Sequence, residues 1–119
     1  YYTRDELTKI MLVTSSNEAA LLLAKHYTGG EAQLVKDTNE WIRGFGVLDT
    51  QIADSTGLSP NNTSTTHDLV KLLPYFAQIP QIQHSADPKL QHHKQTLLNT
   101  NPYTQHYQLQ LSKTGAYER

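Results

Sequence analysis

Between Thr3 and Tyr27 the apolar positions recur at helical spacing. Leu7, Ile10, Met11 and Thr14 fall on one side of a helix, as residues three and four apart do. Thr3 stands where an N-cap belongs, and Glu6 three residues later completes a capping-box pattern. This helix is predicted to end near Ser15. A second is predicted from near Asn17 to Tyr27, with Ala20, Leu23, Ala24 and Tyr27 as its inner stripe and Gly29-Gly30 as its stop. Ser15 and Asn17 then share a tight inter-helix connection, a good place to hold two polar side chains in fixed directions.

A third helix fits from about Glu31 to Arg43, burying Leu34, Thr38, Trp41 and Ile42 and ending at Gly44 and Gly46. Residues 47–65 are rich in Asp, Ser, Thr, Asn, Gly and Pro, which predicts a long ordered loop. Thr65 or Thr66 caps a fourth helix carrying Leu69, Leu72, Leu73 and Phe76, with Pro74 as a kink or stop. From Ile79 the pattern changes. Gln91 to Leu98 is a candidate strand of poor alternation. His106 to Thr114 alternates more clearly, with Tyr107, Leu109 and Leu111 on one face and Gln108, Gln110 and Ser112 on the other. That strand would deliver Lys113 at its end. There is no internal repeat and no low-complexity segment. The reading is one partial α+β domain over 1–119: a helical subdomain over 1–78, then an irregular and strand segment over 79–119.

Composition narrows the partners. A chain of 119 residues with 37% hydrophobic residues and a mean hydropathy of -0.57 builds a modest core. It also leaves apolar faces for partner segments. A net charge of -1, from dispersed charges of both signs, offers no footprint for nucleic acid and none for an anionic membrane. The absence of cysteine excludes disulfides and thiolate metal sites. No apolar run is long enough to span a bilayer, and no signal peptide is recognisable. Opening on Tyr1 without Met, the chain reads as cut from a longer precursor.

Candidate chemistry lies in two triplets, Ser15-Ser16-Asn17 and Lys113-Thr114-Gly115, whose first residues stand 98 positions apart. The Ser15 hydroxyl can relay a proton, and the Asn17 amide can donate to a peptide carbonyl. Lys113 offers a positive charge, Thr114 a hydroxyl suited to a carboxylate, and Gly115 a surface without a side chain. Each triplet alone has an ordinary reading: a Ser or Asn between helices is usually a cap, and Lys-Thr-Gly is a strand end before a turn. Trp41 reads as core or a domain contact rather than a sugar platform. The Gly29-Gly30 pair follows no strand and is no phosphate cradle. Of the six histidines, none shows metal-ligand spacing, and the adjacent His92 and His93 would face opposite sides of a strand. No metal and no other cofactor is expected.

The two triplets match S-x-N and K-T-G, two of the three active-site elements of penicillin-recognising serine enzymes. The third, S-x-x-K, is absent, since no Ser is followed three residues later by Lys. Further segments recur in order: Asp5-Glu6-Leu7, Glu18-Ala19-Ala20, Thr56-Gly57-Leu58-Ser59, Asp68 to Leu73, Asn99-Thr100-Asn101 and Leu111-Ser112. The whole chain resembles the bacterial D-alanyl-D-alanine carboxypeptidases and endopeptidases, the low-molecular-mass penicillin-binding proteins, in particular the penicillin-binding protein 7 type.

That resemblance implies a β-lactamase/transpeptidase-like fold, here the helical subdomain plus the strand leading to Lys-Thr-Gly. It implies a periplasmic serine D,D-peptidase acting on peptidoglycan stem peptides and cross-links and acylated by β-lactams. Ser15, Asn17 and Lys113 become the catalytic positions, and Thr114, Gly115 and Ala116 the substrate-binding ones, with the Ala116 N–H as half of an oxyanion hole. Ala116 and Tyr117 depart from the residues that relatives often carry there. Without its nucleophile this chain alone is expected to be inactive. A class A β-lactamase would need a loop glutamate, and residues 49–57 contain none. A non-catalytic peptidoglycan-binding homologue, or a structural fragment, is the remaining alternative.

Overall fold

The computed structural model describes residues 1–114. Along the chain run α1 (Arg4–Thr14), α2 (Asn17–Lys25), α3 (Gly30–Arg43), α4 (Thr66–Phe76), a 3-10 helix (Pro80–Ala86), β1 (Lys89–His92), β2 (Gln95–Leu98) and a second 3-10 helix (Pro102–Gln105). Two compact units divide it. One joins Tyr1–Ala20 to the chain from Ile79 onward, and the other is Leu21–Gln78. The first boundary falls inside α2, so α1 groups with the C-terminal segment rather than with the other helices.

In the first unit, α1 starts where its cap dictates. The Glu6 N–H donates to Thr3 Oγ1 at 3.2 Å, and Glu6 Oε2 accepts from the Thr3 N–H at 2.7 Å, which satisfies two of the end's orphan donors. The predicted stripe of Leu7, Ile10, Met11 and Thr14 is only half-buried; Val13 is the residue fully enclosed. The reason is that α1 is packed by both the first 3-10 helix and the hairpin, so its buried line is set by two neighbours rather than one face.

The strand expectations need two corrections. The single strand expected over Gln91–Leu98 is instead the end of β1, the turn and the whole of β2 in an antiparallel hairpin, with Lys89 opposite Leu98 and His92 opposite Gln95. Its turn is His93-Lys94, with His93 at φ 52°. No Asn-Gly or Asp-Gly marks it, which is why it was invisible as a turn. Residues 106–114, expected as a strand, form none, and no strand pairs with them among the described residues. Alternation predicts a pleated face, but a strand exists only where a neighbour supplies the ladder.

The second unit is built on α3 and α4. Ile42, Val47 and Leu72 are buried together, with Phe45, Ile52 and Phe76 packed against them. Trp41, expected on the buried side, is 47% exposed and meets the Phe45 ring edge-on at 4.8 Å. Tyr27 likewise lies outside α2, which stops at Lys25, and its hydroxyl donates to Asp37 Oδ2 at 2.8 Å. Gly29 opens α3 instead of closing α2. At φ 88° it takes a conformation that suits glycine, and a Cβ there would sit 2.7 Å from the Gln33 side chain. Pro74 neither stops nor ends α4, which runs on to Phe76.

Residues 47–65 form the ordered loop that composition predicted, apart from one bridge between Gln51 and Thr63. Asn39 holds the loop by bonding both the N–H and the carbonyl of Ile52, at 2.9 and 2.8 Å. Asp68, 1% exposed, accepts from the Asp49 N–H and the Thr50 hydroxyl, each at 2.8 Å. Within the loop Asp54 is wrapped by its own neighbours. Burial alone would raise its pKa, but hydrogen bonds from Asn62, Thr56 and the backbone outweigh this and hold it at about 2.

A carboxyl depressed in the fold contributes stability above its unfolded pKa and loses it as pH falls through its folded value. Stability is therefore expected to decline from about pH 3.8 to about pH 2. Asp54→Asn should flatten that decline in acid titrations followed by urea unfolding. An unchanged acid limb in the variant would refute this role for Asp54.

Candidate active site

The site starts from how α1 ends. Ser15 is its C-cap and sits in the left-handed region, at φ 56° and ψ 37°, which is costly for a residue with a Cβ. That geometry reverses the chain within two residues, so that α2 begins at Asn17. The capping of α2 falls to neither end of the triplet. Ser16 Oγ accepts from the Ala19 N–H at 3.1 Å, and its carbonyl accepts from the Ala20 N–H at 3.2 Å. The middle serine does the structural work, which leaves the Ser15 hydroxyl for another partner.

That partner is Lys113. Its Nζ donates to Ser15 Oγ at 2.7 Å, across 98 residues of chain. The ammonium also donates to the Thr114 carbonyl, and the Thr114 hydroxyl pairs with that of Thr100. Although Lys113 is exposed overall, desolvation lowers its pKa below the ordinary lysine value, so its proton is shed more readily. Asn17 is half-buried at the start of α2, and its side chain makes no hydrogen bond among the described residues. Gly115 and Ala116 lie outside the described residues.

The segment that brings Lys113 to Ser15 was legible only as a resemblance. Asn99, 8% exposed, donates to the carbonyls of Ser85 and Asp87 at 2.9 and 2.8 Å, and its Oδ1 accepts from the Asn101 N–H at 2.8 Å. Asn101 Nδ2 donates to Ser112 Oγ at 2.9 Å, and the Ser112 N–H donates to Ser85 Oγ at 3.2 Å. The Thr100 N–H donates to the Val13 carbonyl in the last turn of α1 at 3.2 Å. Asn99-Thr100-Asn101 thus grips the end of α1 on one side and the residue before Lys113 on the other. An Asn-x-Asn run is ordinary loop composition, so no local signal pointed to this role.

Ser15, Lys113 and Thr114 are thus brought into one hydrogen-bonded chain, and the triplet order S-x-N then K-T-G is preserved around it. A family model described as D-alanyl-D-alanine carboxypeptidase matches residues 1–119. The chain belongs to this family. Over 122 aligned residues it is 34% identical to a D-alanyl-D-alanine endopeptidase of Escherichia coli K12, covering 95% of the chain and 39% of the relative. The chain therefore spans well under half the length of that relative.

Among solved structures, it is similar to a D-alanyl-D-alanine carboxypeptidase from Mycobacterium tuberculosis H37Rv, with TM-score 0.75 and 29% identity over 89% of the chain and 43% of that structure. It is also similar to penicillin-binding protein D2 from Listeria monocytogenes in its cefotaxime-bound form, with TM-score 0.74 and 25% identity over 90% of the chain and 45% of that structure. The mixed helix and strand fold is that of the penicillin-binding, transpeptidase-like proteins. The family is one of serine hydrolases.

The histidines correct one further expectation. His92 and His93 do not face opposite sides, because His93 has left the strand and its left-handed φ turns it back. Their ring centroids lie 4.3 Å apart.

If Ser15 is held left-handed for its hydroxyl's sake, Ser15→Gly should be more stable than Ser15→Ala by about 1 kcal/mol, since both lose the hydroxyl but only glycine relieves the backbone. Ser16→Ala should cost about 1 kcal/mol through the lost cap. Urea unfolding of the three variants checks both, and equal stability of the Gly and Ala variants would remove the strain argument.

Proposed function

We propose that this chain supplies the proton-relay and substrate-carboxylate side of a serine D,D-peptidase site acting on peptidoglycan. The observation that carries the reading is the 2.7 Å hydrogen bond from Lys113 to Ser15, made by the first residues of the two triplets. The nucleophilic serine and its lysine base belong to an S-x-x-K element, which is not among these 119 residues. In the intact enzyme that serine attacks the D-Ala carbonyl carbon and its proton goes to the base. Ser15 passes a proton on to the leaving amine, with Lys113 keeping its oxygen oriented.

In this reading Asn17 donates to the stem-peptide carbonyl. Thr114 and the ammonium of Lys113 hold the terminal carboxylate, and Gly115 and Ala116 line the acyl chain, the Ala116 N–H completing an oxyanion hole. β-Lactams are the second ligand class, in keeping with the cefotaxime-bound relative. A periplasmic location follows from the substrate, and 1–119 is one part of the catalytic domain. No metal takes part in this chemistry. Slow deacylation is favoured over β-lactamase action. Residues 49–57 carry no glutamate, and the carboxylate of Asp54 is taken up by Asn62, Thr56 and the Gly57 N–H of its own loop.

Ser15→Ala in the full-length enzyme should slow penicillin acylation by roughly 10²–10⁴, the usual worth of a positioned proton-transfer group. Lys113→Ala should also slow acylation, while changing the melting temperature little, since an exposed charge contributes little to stability. Stopped-flow acylation and thermal unfolding on the same preparations decide the matter. Wild-type acylation by either variant overturns the assignment of that residue. The 119-residue chain alone should form no penicilloyl adduct by intact-mass spectrometry; an adduct mapped to Ser15 would make Ser15 the nucleophile instead of the relay.

A further inference from the structure

The fold gathers three metal-ligating side chains that the peptidase chemistry does not use. Glu6 lies in the first turn of α1, His92 ends β1 and His93 begins the hairpin turn. One donor atom from each lies within 4.8 Å of the others. In sequence Glu6 and His92 are far apart, so no spacing motif announces them.

Each member is held in place for a separate reason. Glu6 spends one carboxylate oxygen on its cap, Oε2 accepting from the N–H and the hydroxyl of Thr3 at 2.7 and 2.9 Å. Its other oxygen, Oε1, faces His92 Nδ1 at 4.0 Å. The backbone hydrogen bond from Thr3 lowers the Glu6 pKa, so the carboxylate is charged at neutral pH. The His92 ring is stacked under Tyr2 at 5.2 Å and 22°, with its side chain only 13% exposed. Its Nε2 is buried and has no hydrogen-bond partner among the described residues. An orphaned buried ring nitrogen is uncommon in a folded protein, and the ring's other nitrogen, Nδ1, is the one that faces Glu6. His93 completes the group from an exposed position, where a ligand from solvent has access.

We propose that Glu6, His92 and His93 bind a divalent transition-metal ion of the zinc class. Two imidazoles and a carboxylate are a donor set suited to zinc, copper or nickel and poorly suited to magnesium or calcium. Three protein donors leave a coordination position for water or for a further ligand. The ion would tie the hairpin to the first turn of α1, the helix whose other end is Ser15, and so act as a staple within this unit. No step of the peptidase reaction passes through it.

The test is a zinc chloride titration of the protein, read by thermal unfolding, with a cobalt(II) titration read by its visible d–d bands. Zinc should raise the melting temperature where the same concentration of magnesium chloride does not, and cobalt should give bands of reduced coordination symmetry. Glu6→Gln keeps the capping box, because Gln serves there as well as Glu, yet removes the anionic donor. His93→Gln changes an exposed residue. Each should weaken zinc binding by about tenfold or more, whereas His106→Gln should leave it unchanged. The proposal fails if zinc produces no shift and cobalt no bands. It also fails if both responses persist unaltered in Glu6→Gln and His93→Gln, which would mean ordinary surface-histidine binding.

Discussion

The hydrogen bond between Lys113 and Ser15 is the constraint around which the candidate site is organised. A long flexible lysine and a single hydroxyl cannot find each other by local propensity. They meet because Ser15 is locked into a left-handed cap and because the segment before Lys113 is tied down at Ser112. The interaction is worth little as a stabilising contact, since Lys113 is exposed. Its significance is directional. In the proposed function it keeps an amine against the oxygen assigned to gain and lose a proton.

What supports that bond is a small polar core. Ser85, Asn99 and Thr104 are all buried, and Asn99 and Thr104 meet main-chain carbonyls through their side chains while Ser85 accepts from the Ser112 N–H. In a segment with little regular structure, these side chains take the place of a sheet ladder in satisfying the backbone. Removing one leaves buried carbonyls and N–H groups without partners, which costs more than the bond itself contributes. The loop over 47–65 uses the same device, with Asp68 and Asn39 as its anchors. Both irregular regions are ordered by polar side chains bonding to backbone.

The serine triplet divides its labour in a way that a motif alone does not express. Ser16 caps α2, and so frees Ser15 and Asn17 from the commonest duty of such residues between helices. An argument from base rates would have assigned capping to Ser15 or Asn17. The same separation holds at Glu6, where one oxygen closes the capping box and the other stays available to His92.

Local signals determined the helices and the family. The Thr3–Glu6 capping box, the Thr65 cap and the glycines after Arg43 mark element ends through short-range hydrogen bonds and backbone freedom, and these need no partner from elsewhere. The Ser-x-Asn and Lys-Thr-Gly triplets were readable because their chemistry is carried by residue type and order. Only the tertiary structure decided the rest. It folded Gln91–Leu98 back on itself across the turn of a hairpin and left 106–114 without a strand among the described residues, because ladders depend on what lies alongside. It exposed Trp41, placed His93 beside His92, and made Asn99-Thr100-Asn101 a hub, since burial and long-range hydrogen bonds are properties of neighbours that the local sequence does not name.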